Sequence, residues 1–176
     1  MCLLIWHAIE YRLQDKQISN QNGLNVKPRV QPALRVRAMR ALARRELTRA
    51  ELQAKLSPYV TESDDLQGVL DDLEKRGWLS DVRATEQIVR IRSEKFGMQR
   101  IAHELRQKGI SDALISASLP QLKENELEKA RAVWQRKFAV PPHDQKEKAR
   151  QVRFLQSRGF SLDVIFKILR MEDEST

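Results

Sequence analysis

The chain has 176 residues, of which 41% are hydrophobic and 32% charged, with a net charge of +8 and only 6 Gly and 6 Pro. The charged share exceeds the roughly one quarter of an average domain, so solvated helix surface is plentiful relative to core. Cys2 is the single cysteine, which excludes an intrachain disulfide framework or multi-cysteine zinc site and fits a reducing, cytoplasmic compartment.

Residues 1–31 read as an atypical or poorly ordered N-terminal extension. Cys2-Leu3-Leu4-Ile5-Trp6 is apolar but too short to span a bilayer, and no basic region precedes it as in a secretory signal. Residues 17–31 are polar, with Gly23 and Pro28, and form a loose lead-in. From Pro32 onward the signals are helical. Pro32 suits a first helical turn. Leu34, Ala38, Ala41 and Leu42 make an apolar stripe at helical spacing, and Arg37, Arg40 and Arg44 share a neighbouring face of a basic helix over 35–45. Thr48 followed by Glu51 is a capping-box pattern that opens a short helix with Leu52 and Leu56, stopped by Ser57-Pro58. Thr61 or Ser63 caps the next helix. Asp64 and Asp65 favour its positive end, Leu66, Val69, Leu70 and Leu73 form its buried stripe, and Gly77 ends it.

The pattern then recurs. Ala84, Ile88 and Ile91 mark one helix. Residues 98–108 make a second, with Met98, Ile101, Ala102 and Leu105 on one face, and Ser111-Asp112 caps a third, with Leu114, Ile115 and Leu119 inward and Pro120 at its end. A third round starts near Glu124. Leu127, Ala130, Val133, Trp134 and Phe138 line a long helix that Pro141-Pro142 breaks. Residues 144–158 follow, with Val152 and Leu155 apolar, and Ser161 caps a last helix carrying Ile165, Ile168 and Leu169. No period-two strand pattern is present.

The rounds align with one another. Leu52-Gln-Ala-Lys55, Leu105-Arg-Gln-Lys108 and Leu155-Gln-Ser-Arg158 correspond, with the Leu positions 53 and 50 residues apart. Lys108-Gly109-Ile110-Ser111 matches Arg158-Gly159-Phe160-Ser161. The mechanical logic is a helix that ends at a left-handed Gly, an apolar residue that seals the end, and a Ser that starts the next helix. The first round departs, with Leu56-Ser57-Pro58 and a longer connection. The expected fold is all-α: three tandem three-helix bundle repeats (32–80, 81–122 and 123–171) forming an elongated curved molecule, with an acidic tail over 172–176. Units of this size bury little core alone and gain stability by stacking.

Reactive centres find no support. His7, His103 and His143 are scattered, and His103-Glu104 lacks the second histidine of a zinc-protease helix. No Gly-rich loop precedes Lys-Ser/Thr, and no Gly-x-Ser-x-Gly turn occurs. Asp64, Asp65, Asp71 and Asp72 lack calcium-loop spacing. Trp78, Trp134 and Phe138 lie on or beside apolar stripes and read as core. No catalytic residue, metal site or cofactor is expected. Charge is the functional signal. Lys27 to Arg49 holds eight cations and one acid, whereas Thr61 to Glu74 holds six acids and no cation. The candidate partner-binding residues are Arg37, Arg40, Arg44 and Arg45, with a second set of Arg90, Arg92, Lys95, Arg100, Arg106 and Lys108 crossing two helices.

Four segments carry a family resemblance. Ala38-Met-Arg-Ala-Leu-Ala-Arg-Arg-Glu-Leu-Thr-Arg-Ala-Glu-Leu52 resembles the opening of bacterial RecX proteins, as does Val69-Leu-Asp-Asp-Leu-Glu-Lys-Arg-Gly-Trp-Leu-Ser-Asp81. Arg100-Ile-Ala-His-Glu-Leu-Arg-Gln-Lys-Gly-Ile110 is the most specific match, and Arg153-Phe-Leu-Gln-Ser-Arg-Gly-Phe160 completes the set. The resemblance covers about residues 32–170 and not 1–31. It implies three tandem three-helix repeats and a non-enzymatic role: binding the RecA recombinase filament and inhibiting its ATPase and strand-exchange activities in recombination and DNA repair. The expected molecule is a cytoplasmic monomer without membrane association, and the cations of residues 27–49 leave room for nonspecific DNA contact. The rival reading is a direct DNA-binding, helix-turn-helix-like regulator built on 48–56 and 63–76. Against it, the would-be recognition helix carries Asp64, Asp65, Asp71, Asp72 and Glu74, the wrong sign for lying against phosphates.

Overall fold

The computed structural model describes residues 33–173, so the expectations for residues 1–31, Pro32 and 174–176 lie outside the described residues. Every regular element among the described residues is helical. They fall into two compact units, one of residues 33–47 and 52–79 and one of residues 48–51 and 80–173.

In the first unit, α1 (Leu34–Leu42) buries Leu34, Ala38 and Ala41, the i, i+4, i+7 stripe that the spacing predicts. α2 (Arg49–Leu56) supplies Leu52 and Leu56, a 3₁₀ turn follows at Ser57–Tyr59, and α3 (Leu66–Lys75) adds Leu70 and Leu73. With Leu47 and Leu79 these form one core, against which Leu42, Val69 and Trp78 pack. Two boundaries differ from the sequence expectation. α1 stops at Leu42 rather than 45, because Leu47 must turn inward to reach the core, where it is 3% exposed. The cap of α3 is Asp65, whose Oδ1 accepts from the Gly68 amide at 2.8 Å. Thr61 is engaged one turn earlier, its amide and hydroxyl both donating to Asp64 Oδ2 at 2.9 and 2.8 Å.

The second unit holds α4 (Asp81–Arg92), α5 (Met98–Gln107), α6 (Asp112–Glu124), α7 (Glu126–Lys137), α8 (Gln145–Ser157) and α9 (Leu162–Asp173). Val89, Ile101, Leu105, Ile110, Ile115 and Leu122 gather in one core, and Trp134, Leu155, Phe160, Ile165, Ile168 and Leu169 in another. Trp134 is fully buried, and its indole N–H donates to Gln151 Oε1 at 2.7 Å. Phe138 meets Phe154 edge-on at 5.0 Å.

One residue that marks its helix lies off the core, and two expectations are corrected here. Ile91 is 56% exposed, because the buried arc of α4 runs through Ala84, Thr85 and Val89 and leaves Ile91 beyond its edge. Pro120 does not end α6, which continues to Glu124. Proline removes one helical hydrogen bond, but Leu122 beyond it is buried in the core and holds the last turn. At the C-terminus, α9 runs through Asp173 and so takes in the first two residues of the expected acidic tail.

The repeated turn behaves as its sequence dictates. Gly109 and Gly159 have φ of 77° and 81°, where a Cβ is penalised. Ile110 and Phe160 donate back to the carbonyls of Leu105 and Leu155 and are buried. Ser111 Oγ accepts from the Leu114 amide at 3.3 Å.

The same turns are also docking points. Within the second unit, the Thr48 hydroxyl donates to the Lys108 carbonyl at 2.7 Å, and the Lys108 ammonium pairs with Glu51. Correspondingly, the Gly97 amide donates to the Arg158 carbonyl at 2.9 Å and the Gln99 amide to the Gly159 carbonyl at 3.2 Å. A carboxylate completes each joint. Asp81 Oδ1 accepts from the Arg49 amide at 2.7 Å, and Glu126, 5% exposed, accepts from the Met98 amide at 3.2 Å. Helix N-terminal amides have no partner inside their own helix, and here a neighbouring carboxylate satisfies them. The predicted capping box is present as well: the Glu51 amide donates to Thr48 Oγ1 at 3.0 Å and the Thr48 amide to Glu51 Oε2 at 3.1 Å.

Candidate partner-binding surface

In the first unit, burial of Leu34, Ala38 and Ala41 turns the remaining faces of α1 outward. Arg35 bridges to Asp72 at 3.1 Å and lies over Trp78 at 5.7 Å. Arg37 stacks on Tyr59 with its guanidinium carbon 3.8 Å from the ring centroid, close enough for a cation–π contact that holds the plane of the fork. Arg40 is exposed on α1 and makes no ion pair with a described residue. Arg44 and Arg45 sit in the turn after α1, not on the helix. Arg44 is exposed without an ion pair to a described residue, while Arg45 donates to the Glu46 carbonyl at 3.1 Å. The helical geometry therefore brings Arg37 and Arg40 together, and the turn adds Arg44 and Arg45.

The acidic segment is largely committed inside its own unit. Asp64 accepts two hydrogen bonds from Thr61, backbone first and hydroxyl second, which lower its carboxyl below the usual range. Asp72 is lowered chiefly by the hydrogen bond from Arg76 Nε at 2.7 Å, with the charge of Arg35 adding to it against desolvation.

The second predicted set is not one patch. Arg92 forks onto Glu104 Oε1 through Nε and Nη2 at 3.1 and 2.9 Å. Arg106 pairs with Asp112 at 2.9 Å, and Lys108 with Glu51. Arg100 donates to the Ser157 carbonyl at 2.9 Å and lies over Phe96 at 4.7 Å. Arg90 lines a cleft of about 400 Å3 together with Glu86, Glu94 and Lys129, a mixed-sign surface. Lys95 is exposed away from that cleft and makes no ion pair with a described residue. Sequence spacing cannot see these pairings, because their partners are from 6 to 57 residues distant.

A reading by local charge density also passes over α8, where Lys146, Arg150 and Arg153 are exposed. The signal is legible as i, i+4, i+7 spacing. Among the described residues, no three His, Cys, Asp or Glu side chains cluster to hold a metal, and no helix is long and apolar enough to cross a membrane. His103 and His143 are exposed singly, and His7 lies outside the described residues.

Comparison with known proteins decides the family. A regulatory protein RecX from Leptothrix cholodnii is 46% identical over 145 residues, covering 82% of this chain and 92% of that one. The chain belongs to the RecX family. A RecX regulatory protein from Ralstonia nicotianae is 40% identical, covering 83% of this chain and 92% of its own length. The family description "RecX, second three-helix domain" matches residues 80–119, and "RecX, third three-helix domain" matches residues 124–169. A crystal structure of RecX from Lactobacillus salivarius superposes with a TM-score of 0.67 at 23% identity, covering 80% of this chain and 95% of that one. That likeness establishes the RecX helical-repeat fold.

Proposed function

We propose that this chain is a regulator of the RecA recombinase: it binds the RecA nucleoprotein filament and suppresses ATP hydrolysis and strand exchange, with no chemistry of its own. The observation that carries the reading is the 46% identity across 92% of a relative described as a regulatory protein RecX. Its physical complement is the exposed cationic surface of the first unit. Arg40 and Arg44 are exposed without ion pairs to described residues, and Arg37 is braced on Tyr59. A filament repeats its acidic surfaces, so several weak contacts made by one chain multiply through effective concentration. Binding across neighbouring subunits then hinders the cycling that hydrolysis requires.

The test is RecA ATPase on single-stranded DNA with this protein titrated in. Suppression at substoichiometric ratios is expected. The triple variant Arg37→Glu, Arg40→Glu, Arg44→Glu, verified as folded by its helical circular dichroism, should need at least roughly tenfold more protein for the same suppression, since reversed charges repel the acidic site. Undiminished suppression would remove the first-unit surface from the account, and no suppression by the wild type would remove the recombinase.

A further inference from the structure

The surface of α8 carries a stripe of cations. Lys146, Arg150 and Arg153 are spaced i, i+4, i+7, which places them within roughly 60° of arc and along about 10 Å of the helix. Buried Gln151 and Leu155 occupy the opposite side, so all three cations project into solvent. None forms an ion pair with a described residue. The nearest acids along the chain serve the helix start and do not pair with these cations: the Asp144 carboxylate accepts the Glu147 amide at 2.7 Å, and Glu147 accepts the His143 amide at 3.0 Å. The contrast with α5 is direct, since there Arg100 and Arg106 are tied to a carbonyl and a carboxylate of the fold.

From this stripe we infer a sequence-independent docking site for a nucleic-acid phosphate backbone, with Lys146, Arg150 and Arg153 each facing a phosphate. The composition of the face selects that partner. Protein–protein interfaces centre on buried apolar or aromatic anchors. The exposed large hydrophobic residues of this unit are Val82, Ile91, Val140, Leu162, Phe166 and Met171, and α8 has none of them. A row of unpaired cations without an apolar anchor matches phosphate contact, where affinity comes from counterion release rather than from burial. The site stands apart from recognition of the recombinase, and its test contains no RecA.

The experiment is fluorescence anisotropy of the full chain with a labelled single-stranded oligonucleotide over a salt series. Wild type should bind with a log–log salt slope that the variant Lys146→Ala, Arg150→Ala, Arg153→Ala reduces by about 2. At about 0.1 M salt its affinity should fall by roughly tenfold or more. The variant Lys123→Ala, Arg136→Ala, Lys137→Ala removes the same net charge from other exposed positions of this unit and should change the slope much less. Equal losses in both variants would reduce the effect to net charge and overturn the site. The site is equally overturned if the oligonucleotide is not bound, or if only poly-glutamate is bound and released by the α8 variant, which would make the partner an acidic protein.

Discussion

Gly159 sits at φ 81°, and a Cβ there would lie 2.5 Å from the backbone nitrogen of Arg100. Gly109, at φ 77°, would place its Cβ 2.5 Å from the Cβ of Ala50. The two positions share a sequence motif but differ in what blocks them, and the difference is measurable. Either Gly→Ala change should destabilise the second unit by roughly 2 kcal/mol or more, from left-handed strain plus overlap. Adding Ala50→Gly to Gly109→Ala removes the opposing methyl, so the double variant should be about 1 kcal/mol more stable than the sum of the single changes. At Gly159 no side-chain truncation helps, because Arg100 presents its amide whatever its side chain. Urea denaturation of the single and double variants checks both expectations, and additive behaviour at 109 and 50 would rule out the close approach.

Between elements, Asp72 on α3 ties α1 to the end of its own helix through Arg35 at 3.1 Å and Arg76 at 2.7 Å. Its carboxyl is held below the ordinary range, mainly by the Arg76 hydrogen bond. A carboxylate with a lowered folded pKa contributes stability that is complete above its unfolded value, about 3.9, and is lost as pH falls through the folded value. The stability difference between wild type and Asp72→Asn should therefore stay constant from neutral pH to about 4.5 and shrink only below about 4. Thermal melts across that range give the answer, and a difference that does not change as the pH falls through about 4 would mean that the pairing is absent in solution. The side chains are solvated, so the effect at neutral pH is small, as for surface ion pairs generally.

For the whole molecule, the proposed function would have the net charge of +8 act on the approach to a polyanionic filament more than on the docked state. Screening shortens the reach of that field to roughly 10 Å at 0.1 M salt. Stopped-flow binding to RecA filaments should show association slowing steeply between about 0.05 and 0.2 M salt while dissociation changes little. A salt effect confined to dissociation would mean that close ion pairs, not the field, do the work. Arg92, Arg106 and Lys108 add nothing to that net charge, because Glu104, Asp112 and Glu51 beside them cancel it. The field is therefore concentrated on fewer residues than the composition suggests.

The helical class, the caps at Thr48 and Ser111, the 53- and 50-residue spacing and the left-handed glycines were legible in the chain alone, because each is a short-range matter of hydrogen-bond supply and backbone sterics, whereas the expected cap at Ser161 is not made and its hydroxyl turns to Glu126. The sequence also placed Arg37 and Arg40 on one helix face. Packing settles what spacing leaves open: α6 passes through Pro120, Ile91 faces solvent, and four of the six cations in the second predicted set are bound within the fold. Those outcomes depend on groups brought near by packing rather than by spacing along the chain. A burial gain at Leu122 outweighs a lost helical bond, and a carboxylate or carbonyl from another helix neutralises an arginine that the linear sequence presents as free.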